Sequence, residues 1–247
     1  MELVAFVASG YEGLGEIQQR DWRRLGVFTG SFTAAAAAFV LDLKIARELP
    51  PDTVAHIRLA RLASLGLLDH DKLHGRFALR AAARQFAREQ MSAEELAEAH
   101  QRHAEYYLRV LGRANHLAAA GGETGQDGLA LFGSEWTEIQ AGQRWVAKQP
   151  GGAASEYALS GEKCLEQRVD PYERILWHED ALRAARETGD LRAQYQHLSG
   201  LAQAFFVLGD MVQHMAYREQ AMAVGMQTGQ WSDEEAEFGS GSRAVGF

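Results

Sequence analysis

The sequence predicts an all-α protein: a helical first part interrupted by one small β-hairpin, then a terminal array of antiparallel helix pairs. Three observations carry this expectation. Ala and Leu are abundant, Val and Ile are few, and the 4 Pro fall only at Pro50, Pro51, Pro150 and Pro171. Such a composition favours helices over a large sheet. Apolar residues recur at helical spacing between Gly and Pro stops, the signature of amphipathic helices. The last third also repeats itself at an offset of 40 residues. Glu179, Ala181, Leu182, Ala184, Thr188 and Gly189 recur in kind as Glu219, Ala221, Met222, Val224, Thr228 and Gly229, with a further helix end in FFVLGD at 205–210. Periods of roughly 20–50 residues mark stacked units that cannot bury their apolar faces alone.

Along the chain, 14–25 places Ile17, Trp22 and Leu25 on one helical stripe. The GVFTGSF segment breaks it, Thr33 is placed to cap a helix running towards Pro50-Pro51, and Asp52 to cap a third helix that ends at Gly66. Leu67-Leu68 and Phe77 to Leu79 flank a polar stretch with Gly75, which reads as a hairpin. A helix over 80–90 follows. Helix, helix, helix, hairpin, helix is the order of a winged-helix domain. Ser92 and Glu95 form a capping box that opens a long helix through Leu111. Residues 120–134 carry five Gly and read as a linker or long loop. Helices resume at 135, break at Gly151-Gly152 and continue as antiparallel pairs, with a frayed or truncated end after 230. The expected domains are therefore 10–91, a connecting helix and linker over 92–134, and the repeats over 135–247.

The net charge of −8 opposes general binding to nucleic acid or anionic membranes. The single Cys164 excludes an internal disulfide and a Cys-based zinc finger. No apolar run is long enough to span a bilayer, and no basic start precedes an apolar stretch as in a signal peptide. A soluble cytoplasmic protein is expected.

Five Lys or Arg and no acid lie between Lys72 and Arg88. Arg76, Arg80, Arg84 and Arg88, at intervals of four, together with Arg58 and Arg61 of the would-be recognition helix, are the candidate contacts to DNA or a partner. The bland reading is a solvated face. His100 and His103 have a metal-ligand spacing, with Glu98 and Glu105 near. Two imidazoles fall short of a zinc set, and incidental helix histidines explain them as well. The acidic pairs, such as Glu94-Glu95, sit at helix starts and suit the helix dipole better than acid–base chemistry. Cys164 reads as a small buried hydrophobe. Trp136, Trp145, Trp177, Phe205 and Phe206 read as core. No catalytic, cofactor-binding or metal-binding residue is assigned.

The segments RRLGVFTGSFTAAAAAFVLD, LASLGLLDHDKLHGRFALRAAARQFARE and RHAEYYL, with ETGD and LGD at repeat ends, resemble bacterial STAND-type signalling ATPases. In that family an NB-ARC-like nucleotide-binding region precedes a winged helix and tetratricopeptide-like repeats. The similarity runs from about Tyr11 to Gln230, with two departures. No GxxxxGK[ST] phosphate loop exists, GEKC at 161–164 lacking the first Gly, and Arg80-Ala81 stand where the family has His-Asp after a residue matched by Leu79. The resemblance thus implies the C-terminal part of such a regulator without its ATPase core. The expected function is non-catalytic: a protein or peptide partner bound in the helical-repeat groove. The alternative is a DNA-binding transcriptional regulator using the winged helix, with the repeats as sensor or dimerisation surface.

Overall fold

The computed structural model describes residues 2–44 and 49–229. They are helical apart from one three-stranded sheet, and no helix among them is long and apolar enough to cross a membrane. The chain divides into two compact units, Met1–Val110 with Ser134–Trp145, and Leu111–Gly133 with Val146–Phe247.

Unit 1 begins with helix α1 (Glu2–Glu12), which the sequence pattern did not announce, and α2 (Glu16–Arg24). Trp22 is fully buried and its indole N–H donates to the Leu67 carbonyl at 3.1 Å, whereas Ile17 is 61% exposed and lies off the core stripe. Strand β1 (Ser31–Thr33) was also unexpected. Thr33 caps α3 (Ala34–Val40), its hydroxyl accepting from the Ala36 amide. That helix stops well short of Pro50: Leu41 is its C-cap, and Asp42 takes φ +53 with its carboxylate held by Lys44 and Arg102. Asp is among the few residues that tolerate this left-handed conformation. The predicted continuation over 45–48 lies outside the described residues.

Helix α4 (Pro51–Ser64) starts on Pro51 at its first position, with Asp52 in the first turn rather than at the cap. Pro is favoured there because its missing N–H has no intrahelical use. Strands β2 (Asp69–Asp71) and β3 (Arg76–Ala78) form the hairpin, with Gly75 at φ +64. β1 adds to the other edge of β3, giving the antiparallel order β1-β3-β2 and placing Phe32 opposite Phe77. Helices α5 (Ala81–Glu89), α6 (Ala93–Ala120) and α7 (Gly122–Val146) follow, the last two contributing to both units. Half of the capping box forms: the Glu95 amide donates to Ser92 Oγ, but the Glu95 carboxylate turns to Arg23 and Arg24.

The stretch 120–134 is a correction: it is helical from Gly122 onwards. Two of its glycines, Gly125 and Gly128, pack against the end of α6. A Cβ at Gly128 would stand 2.5 Å from the Ala118 amide nitrogen and 2.6 Å from the Ala114 carbonyl oxygen, so α7 meets the end of α6 backbone to backbone. Gly133, one and a half turns on, has nothing within 4 Å.

Unit 2 continues with α8 (Ala153–Ser160), α9 (Glu162–Arg168), α10 (Pro171–Thr188), α11 (Leu191–Val207) and α12 (Met211–Thr228). Asp170, Asp190 and Asp210 cap the last three, each accepting a backbone amide of the first turn. Gly189, Gly209 and Gly229 are left-handed, with φ of 72, 76 and 68. The 40-residue repeat is thus two helices with a common joint. Its core joins Ile175, Leu182, Leu198, Leu201, Ala204 and Ala221. Ala181 and Ala221 are equivalent and buried, but Met222 is only half-buried where Leu182 is 4% exposed. Phe206, expected in the core, is 52% exposed. The frayed or truncated end expected after 230 falls outside the described residues.

The two α7 glycines give one substitution with opposite signs. Gly128→Ala is expected to destabilise by about 1–3 kcal/mol through overpacking. Gly133→Ala is expected to stabilise by about 0.5–1 kcal/mol, because Ala loses less backbone entropy in a helix. Urea midpoints of the two variants check this, and equal shifts would refute the close approach.

Candidate functional site

The six arginines do not assemble into one free basic face. Arg58 Nη1 lies 2.5 Å from Asp21 Oδ2. Arg76 is bidentate to Glu135, at 2.6 and 3.0 Å, and also grips Ser31. Arg80 pairs with Asp69 across the hairpin base at 2.9 Å. Arg84 donates to the Thr29 carbonyl, and Arg88 Nε to the Gly26 carbonyl at 2.6 Å. Arg61 alone of the six is an exposed cation without a partner among the described residues. Arg84 and Arg88 converge on one loop, and the others go elsewhere.

His100 and His103 are likewise separated in role. His103 is buried with Nε2 2.7 Å from Glu138 Oε2, while His100 stacks on Trp145. Burial, then His103 and Arg88, push the His100 pKa down to about 4. Glu138 also accepts from the amide and hydroxyl of Thr29 and from the Gly30 amide. Among the described residues no three His, Cys, Asp or Glu gather as a metal set.

Unit 2 holds a cleft of about 580 Å³ lined by the tail of α6, α9, α10 and α11. Each helix presents one face at three- or four-residue spacing, as Arg174 and His178 on α10 and Gln196, Gly200 and Gln203 on α11 illustrate. Asn115 Oδ1 accepts the Lys163 and Cys164 amides at 2.7 and 3.1 Å, holding α9 against α6. Cys164 is fully buried, and burial pushes its thiol up to about 11. That pKa keeps it out of nucleophilic chemistry at neutral pH.

Behind the cleft runs a buried polar chain. Ser155 Oγ lies 2.7 Å from His197 Nε2, and His197 Nδ1 lies 3.4 Å from His178 Nδ1. A neutral His197 that accepts from Ser155 carries its proton on Nδ1 and aims it at His178. Gly200 makes this arrangement fit, since a Cβ there would stand 2.5 Å from the His178 ring. The chain is not a hydrolytic triad. The imidazole behind Ser155 faces another imidazole, and the nearby Asp190 carboxylate spends itself on capping α11. Burial lowers the His178 pKa to about 3, aided by His197 and Arg174. Burial lowers that of His197 to about 4 against the opposing pull of Asp190.

Arg174, His178 and His197 were not singled out from the sequence. Their signal is three basic residues at positions where the helical stripe calls for apolar ones, beside Ile175, Leu182 and Leu198.

No protein-family model matches the chain, and no curated protein matches it. A solved STAND protein with a tetratricopeptide repeat sensor, from Pyrococcus horikoshii, is similar over 89% of this chain and 46% of its own, at 14% identity and a TM-score of 0.29. The chain spans about half the length of that protein.

The depressed histidines fix a pH dependence. In the unfolded chain they protonate near pH 6.5, but the folded state resists this until about pH 4 for His197 and about pH 3 for His178. The unfolded state then binds more protons, so stability is full above about 6.5 and falls as pH drops below it. Lowered carboxylates contribute only below about pH 4.5. Chemical denaturation between pH 7 and 5 should show falling stability, with a shallower slope in His178→Gln. A flat wild-type profile would contradict the buried neutral pair.

Proposed function

We propose that the chain is a non-catalytic recognition module of a bacterial signalling or regulatory protein, acting in the cytoplasm and taking a segment of a partner protein in the cleft of unit 2. The observation that carries this reading is the cleft itself: four helices supply regularly spaced side chains to one hollow, backed by a packed repeat core. Helical arrays bind through such faces, where an extended or helical segment meets a row of positions from successive helices. The sequence resemblance to STAND-type regulators supplies the signalling context, and the lack of a phosphate loop argues against a nucleotide-driven role for this chain.

The DNA-binding alternative draws less support. Five of its six arginines hold carboxylates or backbone carbonyls within unit 1. Phosphate contacts need cations free to release counterions.

Display of random peptides against the full chain tests the proposal. Enriched peptides should lose binding to Gln203→Trp, which fills the cleft from an exposed position on α11. Enrichment that ignores Gln203→Trp, or none at all, would remove the cleft as the recognition surface.

A further inference from the structure

Within that cleft one group is out of balance with its surroundings. Arg174 is 6% exposed, its Nε meets no acceptor, and it forms no ion pair among the described residues. Glu166 and Glu162 act on it only from a distance, and burial is the larger influence, lowering its pKa. Glu166 is moreover committed to Lys163 at 2.8 Å. The neighbour one turn along, His178, is a neutral ring tied into the chain to Ser155. A guanidinium largely removed from water, with an unmet Nε and no ion pair beside it, is costly to fold around. The planar fork of Arg matches a carboxylate in two parallel hydrogen bonds, which is how buried arginines are ordinarily completed. The cleft, at about 580 Å³, is far larger than a carboxylate alone requires, so the group arrives on a longer body. Glu162 lines the same cleft, is exposed and forms no ion pair among the described residues, so it repels a second acid.

We propose that the cleft recognises a single acidic side chain, Asp or Glu, on the partner segment, its carboxylate seated on the Arg174 guanidinium and its flanks neutral or basic because of Glu162. This rests on the reading of the cleft as a partner-binding surface. Arg174 is then the specificity-determining residue, and the segment brings the counterion that the fold withholds.

Calorimetric titration of the full chain at fixed ionic strength tests it, with glutarate, glutaramide and two blocked pentapeptides, Ala-Ala-Glu-Ala-Ala and Ala-Ala-Gln-Ala-Ala. Glutarate and the Glu peptide are expected to bind saturably, and their amide counterparts about thirtyfold or more weakly, the usual penalty for unpairing one side of a buried charge pair. Arg174→Gln should erase that contrast, while Arg174→Lys, which keeps charge without the fork, should keep part of it. If Arg174→Gln does not fold, the acid–amide contrast on the wild-type chain still decides. Equal affinity for acid and amide, a contrast that survives Arg174→Gln, or no saturable binding of either acid overturns the inference. Glutarate bound through Arg174 with no peptide bound in the cleft would leave the carboxylate site standing and remove the partner-segment reading. Cleft-dependent peptides with no acid preference would do the reverse.

Discussion

Unit 1 is organised around one buried carboxylate. Glu138, on α7, is 1% exposed and accepts from two successive backbone amides, a threonine hydroxyl and the His103 ring. The loop it holds has its carbonyls taken from the other side by Arg84 and Arg88 of α5. A backbone segment that leaves a helix and enters a strand carries polar groups that no regular ladder satisfies. Here the acid accepts from the Thr29 and Gly30 amides and the two arginines donate to the Gly26, Val27 and Thr29 carbonyls, so these groups are paired where residues 26–30 enter the interior. Phe28 and Phe32, on either side, can then stack at 4.0 Å in the core. Neutralising such a hub would orphan several donors together, each worth about 1–3 kcal/mol when buried. The arginine series at 76, 80, 84 and 88 is understood in the same terms: its regular spacing serves one unit's internal polar accounts.

Unit 2 manages burial differently. Its apolar layer joins α10, α11 and α12, and its buried polar residues are Ser155 on α8, Arg174 and His178 on α10 and His197 on α11. Ser155, His197, His178 and Arg174 form a graded series from a satisfied pair through a weak contact to a group with no acceptor at Nε. The last lies where the cleft begins, so the shortage of hydrogen-bond partners falls at the surface a ligand would meet. Natural sequences keep local consistency and break it at functional places. This is the principal place in the unit where it breaks.

The parts of the fold legible from the sequence were those with a local cause. Thr33 as a cap, Gly75 in the turn, the start of α6 and the 40-residue repeat depend on residues within a turn or two of one another. The misreadings had causes remote in sequence. Gly125 and Gly128 look like loop residues until the backbone of α6 stands against them. Strand β1 is three residues long, too short for an alternating pattern, and exists because β3 offers an edge. Just past the end of α3 at Val40, Asp42 is left-handed and paired with Arg102, sixty residues away, a partner that local spacing does not reveal. The cleft was illegible for a related reason: a buried Arg in a helical stripe resembles an ordinary surface Arg when only spacing is visible.

The joints of the repeat carry a consequence for how such a chain can change over generations. α10 passes to α11 through Gly189-Asp190, and α11 to α12 through Gly209-Asp210, so that a left-handed stop and an N-cap share two residues and recur every 20. An extra residue in a joint that short would separate the stop from the cap that follows it. Inside a helix, one added residue turns everything after it by about 100°, which would carry Leu198 and Leu201 out of the core and the cleft face away from the cleft. Insertions and deletions of one residue inside these helices are therefore costlier than substitutions on their exposed faces. Length is gained or lost most cheaply in steps that keep the apolar face in register, whole turns or whole helices.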